Sequence, residues 1–162
     1  MKELIVIDVE ASGFGRGSYP IEVGVASDDD NYCSLISPQP EWRHWDDGAE
    51  QLHGISRQLL RAHGRSVQEV ALALNHLLAG KRVYSDAWGN DSTWLARLFD
   101  AAEISQHFKL EALTSIMSEA QMTLWHEVKH RLSQKLNGQR HRASSDARLL
   151  LQTWHETQKA GD

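Results

Sequence analysis

The chain has 162 residues, 41% hydrophobic and 24% charged, which fits one core-bearing domain and excludes a disordered chain. The formal charge of -5 argues against non-specific coating of a duplex, which needs many Lys and Arg contacts to phosphate. It does not exclude a nuclease, because carboxylates that hold metal ions put negative charge where a phosphate binds, and the ions invert it. The one cysteine, Cys33, rules out an internal disulfide and points to a reducing cytoplasm. The N-terminal MKELIVIDVE is neither a signal peptide nor a membrane span, and no longer apolar run follows, so no membrane association is expected.

In chain order, Leu4 to Val9 is a β-branched apolar run, too continuous for a half-exposed strand, and predicts a central buried one. Gly13, Gly15 and Gly17 then break it into a loop. Ile21 to Ala26 and Tyr32 to Ile36, separated by the Asp28–Asn31 turn, predict a hairpin over residues 20–37, and Pro38 and Pro40 end it. Short helical pieces follow over 48–62, with Ser56 as an N-cap. Ser66 caps a helix from Val67 to Leu78, and Gly80 stops it. Arg82 to Tyr84 is a short strand, Asp91 or Ser92 starts the next helix, and Phe108 to Leu110 is a last strand. Residues 118–136 and 143–158 are the final helices. The pattern predicts an α/β fold: a mixed sheet whose first three strands are antiparallel, flanked by helices.

Two stretches propose different chemistries. His126-Glu127-Val128-Lys129-His130 matches H-E-x-x-H, in which two histidines on one helix face bind zinc. That face must look into a cleft. Here the apolar stripe runs through Ala120, Leu124, Val128 and Leu132 with Trp125 beside it, and His126 and His130 lie roughly 160 degrees from its centre, facing solvent. The extended zinc-peptidase pattern also needs Gly and His where Ser133 and Leu136 stand. The reading is set aside.

Asp8 and Glu10, in contrast, sit at i and i+2 near the end of the buried strand, so both side chains face one way. Paired carboxylates there repel and resist burial unless a cation or strong donors neutralise them. Oxygen ligands suit a hard divalent ion, Mg²⁺ or Mn²⁺. A strand that simply ends in solvent with two acids is the plain alternative. Far along the chain, His141 and Asp146 are five apart and cannot share a helix face. Asp146 therefore falls in the first turn of the last helix and His141 on the loop before it. A loop histidine near a metal site can approach or withdraw, which suits a general base; an ordinary exposed histidine in a basic loop is the alternative.

Together these motifs resemble the DEDDh (DnaQ-like) 3′-5′ exonucleases, which have an RNase H-like fold. Asp8-Val9-Glu10-Ala11-Ser12-Gly13-Phe14 is similar to the family's DxETxGF-type first motif, His53-Gly54-Ile55-Ser56 to its HGI[ST] segment, and His141-Arg142-Ala143 with Asp146-Ala147 to its H-x-A-x-x-D-A third motif. The second motif departs from the usual HNxxFD. Its acid falls on Asp91, because Trp94-Leu95 continues like the family's helix, with Asp86 as the alternative.

The resemblance covers about Leu4 to His155. It implies one exonuclease domain over residues 1–162 that releases 5′-mononucleotides from the 3′ end of single-stranded or short RNA or DNA. It implies metal ligands Asp8, Glu10, Asp91 and Asp146, and His141 as the base that takes a proton from the attacking water. Two Mg²⁺ or Mn²⁺ ions about 3.5 to 4 Å apart would clamp the attacking and leaving oxygens. The substrate-binding set would be Ala11, Ser12, Gly13, Phe14 and His53. Phe14 would stack on the terminal base, or else tuck into the core edge. Trp94, Trp125 and Trp154 read as core, whereas Trp42, Trp45 and Trp88 are loop residues and weaker stacking candidates. Arg16 and the basic run Lys129, His130, Arg131, Lys135, Arg140 and Arg142 would steer the strand, or else form a solvated face. Small stand-alone relatives often pair, so a homodimer fits. A non-catalytic binding domain with the same fold is the competing reading; it has no need of the acid set and its histidine.

Overall fold

The computed structural model describes residues 3–136 and 141–159. Strands β1 (Val6–Ala11), β2 (Pro20–Ala26) and β3 (Asn31–Leu35) form an antiparallel meander. Strands β4 (Arg82–Ser85) and β5 (Lys109–Ala112) add in parallel on the other side, in the order β3-β2-β1-β4-β5. The expected mixed sheet is therefore present. The first strand starts two residues later than its apolar run and continues through Asp8 and Glu10 to Ala11. The ladder with β2 causes this, pairing Asp8 with Gly24 and Glu10 with Glu22 before the register shifts between Glu10 and Ala11.

Period-2 alternation divides β1 between two cores. Ile5, Ile7, Val9 and Ala11 join the larger cluster, packed by α3 (Val67–Leu78) and α4 (Trp88–Ala102). Leu4 and Val6 join a smaller one with Trp125 of α5 (Glu119–Ser133) and Ala147, Leu150 and Leu151 of α6 (Ala143–Lys159). Asp8 and Glu10 continue the second face. The same alternation that buries Leu4 and Val6 under α6 therefore aims both carboxylates at the start of that helix. Gly24 permits the approach, since a side chain there would collide with the backbone of Ala143 and Ser144.

Two short helices, α1 (Asp47–His53) and α2 (Arg57–His63), flank the HGIS segment, and Ser56 caps α2 by accepting the Leu59 amide at 3.1 Å. Helix α4 begins at Trp88, ahead of the expected Asp91 or Ser92. The Ser92 and Thr93 hydroxyls bond back to the Gly89 carbonyl inside the first turn, so they do not cap it. Among the described residues, no helix is long and apolar enough to cross a membrane.

Candidate active site

One cavity of about 250 Å³ gathers most of the motif residues: Asp8, Glu10, Ala11, Gly13, Phe14, His53, Asp91, His141 and Asp146 all line it. The strand supplies Asp8 and Glu10. Asp91 comes from the first turn of α4 and is 1% exposed; the Ser85 hydroxyl donates to its Oδ2 at 2.6 Å. Asp86 also lines the cavity, but it is tied to Lys129 across 2.8 Å. Asp146 stands in the first turn of α6, and His141 precedes the helix as expected. The His141 backbone has φ 67°, a left-handed conformation uncommon outside glycine, and its amide donates to Asp146 Oδ1 at 3.2 Å.

The acids of the cavity raise one another's pKa values. Burial pushes the Asp8 carboxyl well above its usual range, and the charges of Asp91, Glu10 and Asp146 push it further. Burial, then Asp146 beside it, takes Glu10 up to about 9. Burial takes Asp91 up to about 7 against the opposing Ser85 bond. Asp8 Oδ2 is buried and makes no hydrogen bond among the described residues. One ligand atom from each of Glu10, His141 and Asp146 lies within 4.8 Å of the other two. An orphaned carboxylate oxygen beside a cluster of oxygen donors and an imidazole fits a divalent cation.

His53 is 5% exposed. The Ile55 amide donates to its Nδ1 at 3.0 Å, so the neutral ring carries its proton on Nε2. Burial lowers the pKa of this ring. The Nε2 side of the ring is buried, and the Ala11 backbone beside it opposes the lowering. Phe14 is 68% exposed at the rim, its ring centroid 6.0 Å from that of Trp94. It stands out from the surface and does not tuck into the core edge.

Several expectations are corrected by local packing. Ser12 does not line the cavity; its hydroxyl is taken up by His44 Nδ1 at 2.8 Å and the Tyr19 amide at 3.0 Å. Trp42 is 6% exposed, stacks on Tyr19 and lies under Arg97, so it is core. Trp45 is half-buried against His53 and Arg57. Trp88 lies outside the cavity and donates to the Leu110 carbonyl. On α5 the buried positions are Gln121 and Trp125, whereas Ala120 is exposed, because Gln121 closes a capping box with Ser118. His126 and His130 are exposed; among the described residues the only His/Cys/Asp/Glu group spaced to hold a metal is the one at Glu10. Arg140 of the basic run lies outside the described residues.

The sequence reading missed Glu22. It is 1% exposed, and it accepts the Arg142 guanidinium at 2.7 Å and the Ala143 amide at 2.7 Å. It thereby ties the residue after His141 and the first residue of α6 to the strand beside Glu10. An acidic residue inside an otherwise apolar strand is the signal that could have found it.

No protein-family model and no curated protein matches the sequence significantly. Solved structures do. E. coli Exonuclease I in complex with a 5cy-dA13 oligonucleotide superposes with a TM-score of 0.59 at 15% identity, over 72% of this chain and 29% of that one. A moderately thermophilic Exonuclease I from Methylocaldum szegediense gives 0.60 at 12% identity, over 78% of this chain and 30% of that one. The fold is RNase H-like. The E. coli enzyme with a dA16 oligonucleotide gives 0.60 at 13% identity over 79% of this chain. This chain spans about three-tenths of the length of these exonucleases.

Proposed function

We propose that this chain is a metal-dependent 3′-5′ exonuclease of the DEDDh type, acting on single-stranded or short RNA or DNA, with residues 1–162 as one catalytic domain. The observation that carries the reading is the meeting of Asp8, Glu10, Asp91, His141 and Asp146 in one cavity, with Asp8 Oδ2 left unbonded. A binding module has no need of buried, mutually repelling acids, which destabilise the fold without a cation.

In this reading Asp8, Glu10, Asp91 and Asp146 hold Mg²⁺ or Mn²⁺, two ions per site. The bound ions would activate water and neutralise charge developing on the phosphate. His141 accepts the proton of the attacking water on its imidazole. The water oxygen bonds to phosphorus, and the bond from phosphorus to the 3′ oxygen of the preceding nucleotide breaks. Phe14 stacks on the terminal base, a contact that tolerates any base. His53 forms part of the wall against which the terminal nucleotide sits. Gly13 keeps the loop close, since a side chain there would collide with Asp46 and His44. The single thiol, Cys33, has no disulfide and fits a reducing cytoplasm.

The test is digestion of 5′-labelled single-stranded RNA and DNA of one sequence with Mg²⁺ or Mn²⁺. A ladder shrinking from the 3′ end, lost in Asp8→Ala and Asp146→Ala, is expected. Cleavage retained in both variants, or no cleavage of either strand by the wild-type chain, would refute the assignment.

A further inference from the structure

Lys129 faces the acid-lined cavity from α5, and it is the one lysine or arginine among the described residues lining it. An approaching phosphodiester would otherwise meet Asp8, Glu10, Asp86, Asp91 and Asp146. The ammonium has three donors, of which the 2.8 Å bond to Asp86 uses one. The pair is about one-quarter exposed, 24% for Lys129 and 25% for Asp86, so the remaining donors are available at the cavity wall.

The same pair lines a second cavity of about 250 Å³. Its other walls are Leu113, Thr114, Met117, Met122, Trp125 and His126. The two cavities therefore adjoin across the Lys129–Asp86 wall. The second is mainly apolar, and its thioethers and indole edge adapt to flat, polarisable groups without selecting one.

We propose that Lys129 and this second cavity form a subsite for the nucleotide preceding the 3′-terminal one. Its base enters the second cavity, and the phosphate joining the two nucleotides rests at the shared wall on the Lys129 ammonium. Asp86 orients that ammonium. The inference rests on the exonuclease reading for the placement of the terminal nucleotide in the first cavity. It makes the second nucleotide a contributor to recognition without regard to its base.

Two substrates separate the parts. Thymidine 5′-(p-nitrophenyl phosphate) carries a terminal nucleotide and a phosphate, with p-nitrophenol where the preceding nucleotide would be. A thymidine trinucleotide fills both cavities. Thr114 is exposed, so Thr114→Trp fills the second cavity without opening the core. It should lower the ratio of kcat/KM for the trinucleotide to that for the p-nitrophenyl ester by about tenfold, within the range expected for one lost base-stacking contact. Lys129→Met should lower kcat/KM for both substrates, because both carry the phosphate. An unchanged ratio in Thr114→Trp overturns the base subsite, and unchanged rates in Lys129→Met overturn the phosphate contact. If the wild-type chain cleaves neither substrate, the exonuclease reading fails. Fluorescence anisotropy of a fluorescein-labelled trinucleotide then tests the subsite alone: weaker binding by both variants supports it, and unaltered binding overturns it.

Discussion

Replacing Glu22 tests what holds α6 over the sheet. Glu22→Ala removes a carboxylate that is 1% exposed and accepts from Arg142 and from the Ala143 amide. The Ala143 amide is then a buried donor without a partner, which costs about 1–3 kcal/mol. Losing a bond to a charged group costs about 1.5–3 kcal/mol more. The full penalty for an orphaned buried charge does not apply, because the Arg142 side chain is 41% exposed and can turn to water. Relief of the repulsion between Glu22 and Glu10 offsets part of the loss. The net expectation is about 3 kcal/mol, or about 6–12 °C in Tm for a chain of this size. Glu22→Gln keeps an oxygen for the Ala143 amide and loses the charge, so it should cost about 1–1.5 kcal/mol. Urea unfolding followed by far-UV circular dichroism measures both. If both variants lie within about 0.5 kcal/mol of wild type, the spread of ordinary surface changes, Glu22 does not anchor the helix.

Asp8→Asn should raise Tm in EDTA, since it removes a carboxyl whose charged form burial and its acidic neighbours penalise, and should abolish stabilisation by Mn²⁺ in a thermal melt. A lower Tm in EDTA would contradict the strain assigned to that carboxylate. The metal-free protein should lose stability as pH rises. Glu10, at about 9 in the fold against 4.5 unfolded, and Asp91, at about 7 against 3.8, keep protons that the unfolded chain releases. Their favourable contribution is complete below the unfolded values and gone above the folded ones, so Tm in EDTA falls across that window while the gain from added Mn²⁺ grows; a flat profile would be inconsistent. Phe14→Ala should leave stability within about 0.5 kcal/mol, as the ring is exposed, yet weaken oligonucleotide binding by about 1–3 kcal/mol in anisotropy titrations. Equal binding would remove the stacking role.

Much of this was legible because it is periodic or local. The continuous run of Leu4 to Val9 marks a central strand, and the i, i+2 spacing of Asp8 and Glu10 places both on one face. Ser56 and Ser66 mark helix starts through a bond to the third residue on. What was not legible depends on partners distant in the chain. Glu22 looks like a stray acid in a strand until Arg142, 120 positions away, is beside it. Trp42 looks like a loop residue until Tyr19 stacks on it. The start of α4 was misjudged because no side chain caps it: the N-cap residue is Ala87, which offers no oxygen to the first turn and so leaves no mark in the sequence. Gln121 reads as solvent-facing, yet it is buried through its bonds to Ser118 and Thr157.

The division of the core into two clusters bears on how this molecule opens. The larger cluster contains no residue of α6, and the smaller one depends on it. Release of α6 could therefore proceed as a sub-global event that leaves the sheet and the α3–α4 layer folded. That event would separate His141 and Asp146 from Asp8 and Glu10, so the cavity should dissolve well before the protein does. Amide exchange would then register α6 as a less protected unit than β1, and any ligand bridging strand and helix would slow it most. The assembly of the cavity is also a non-local step, joining residues near opposite ends of the chain, so it belongs to the late, slow part of folding.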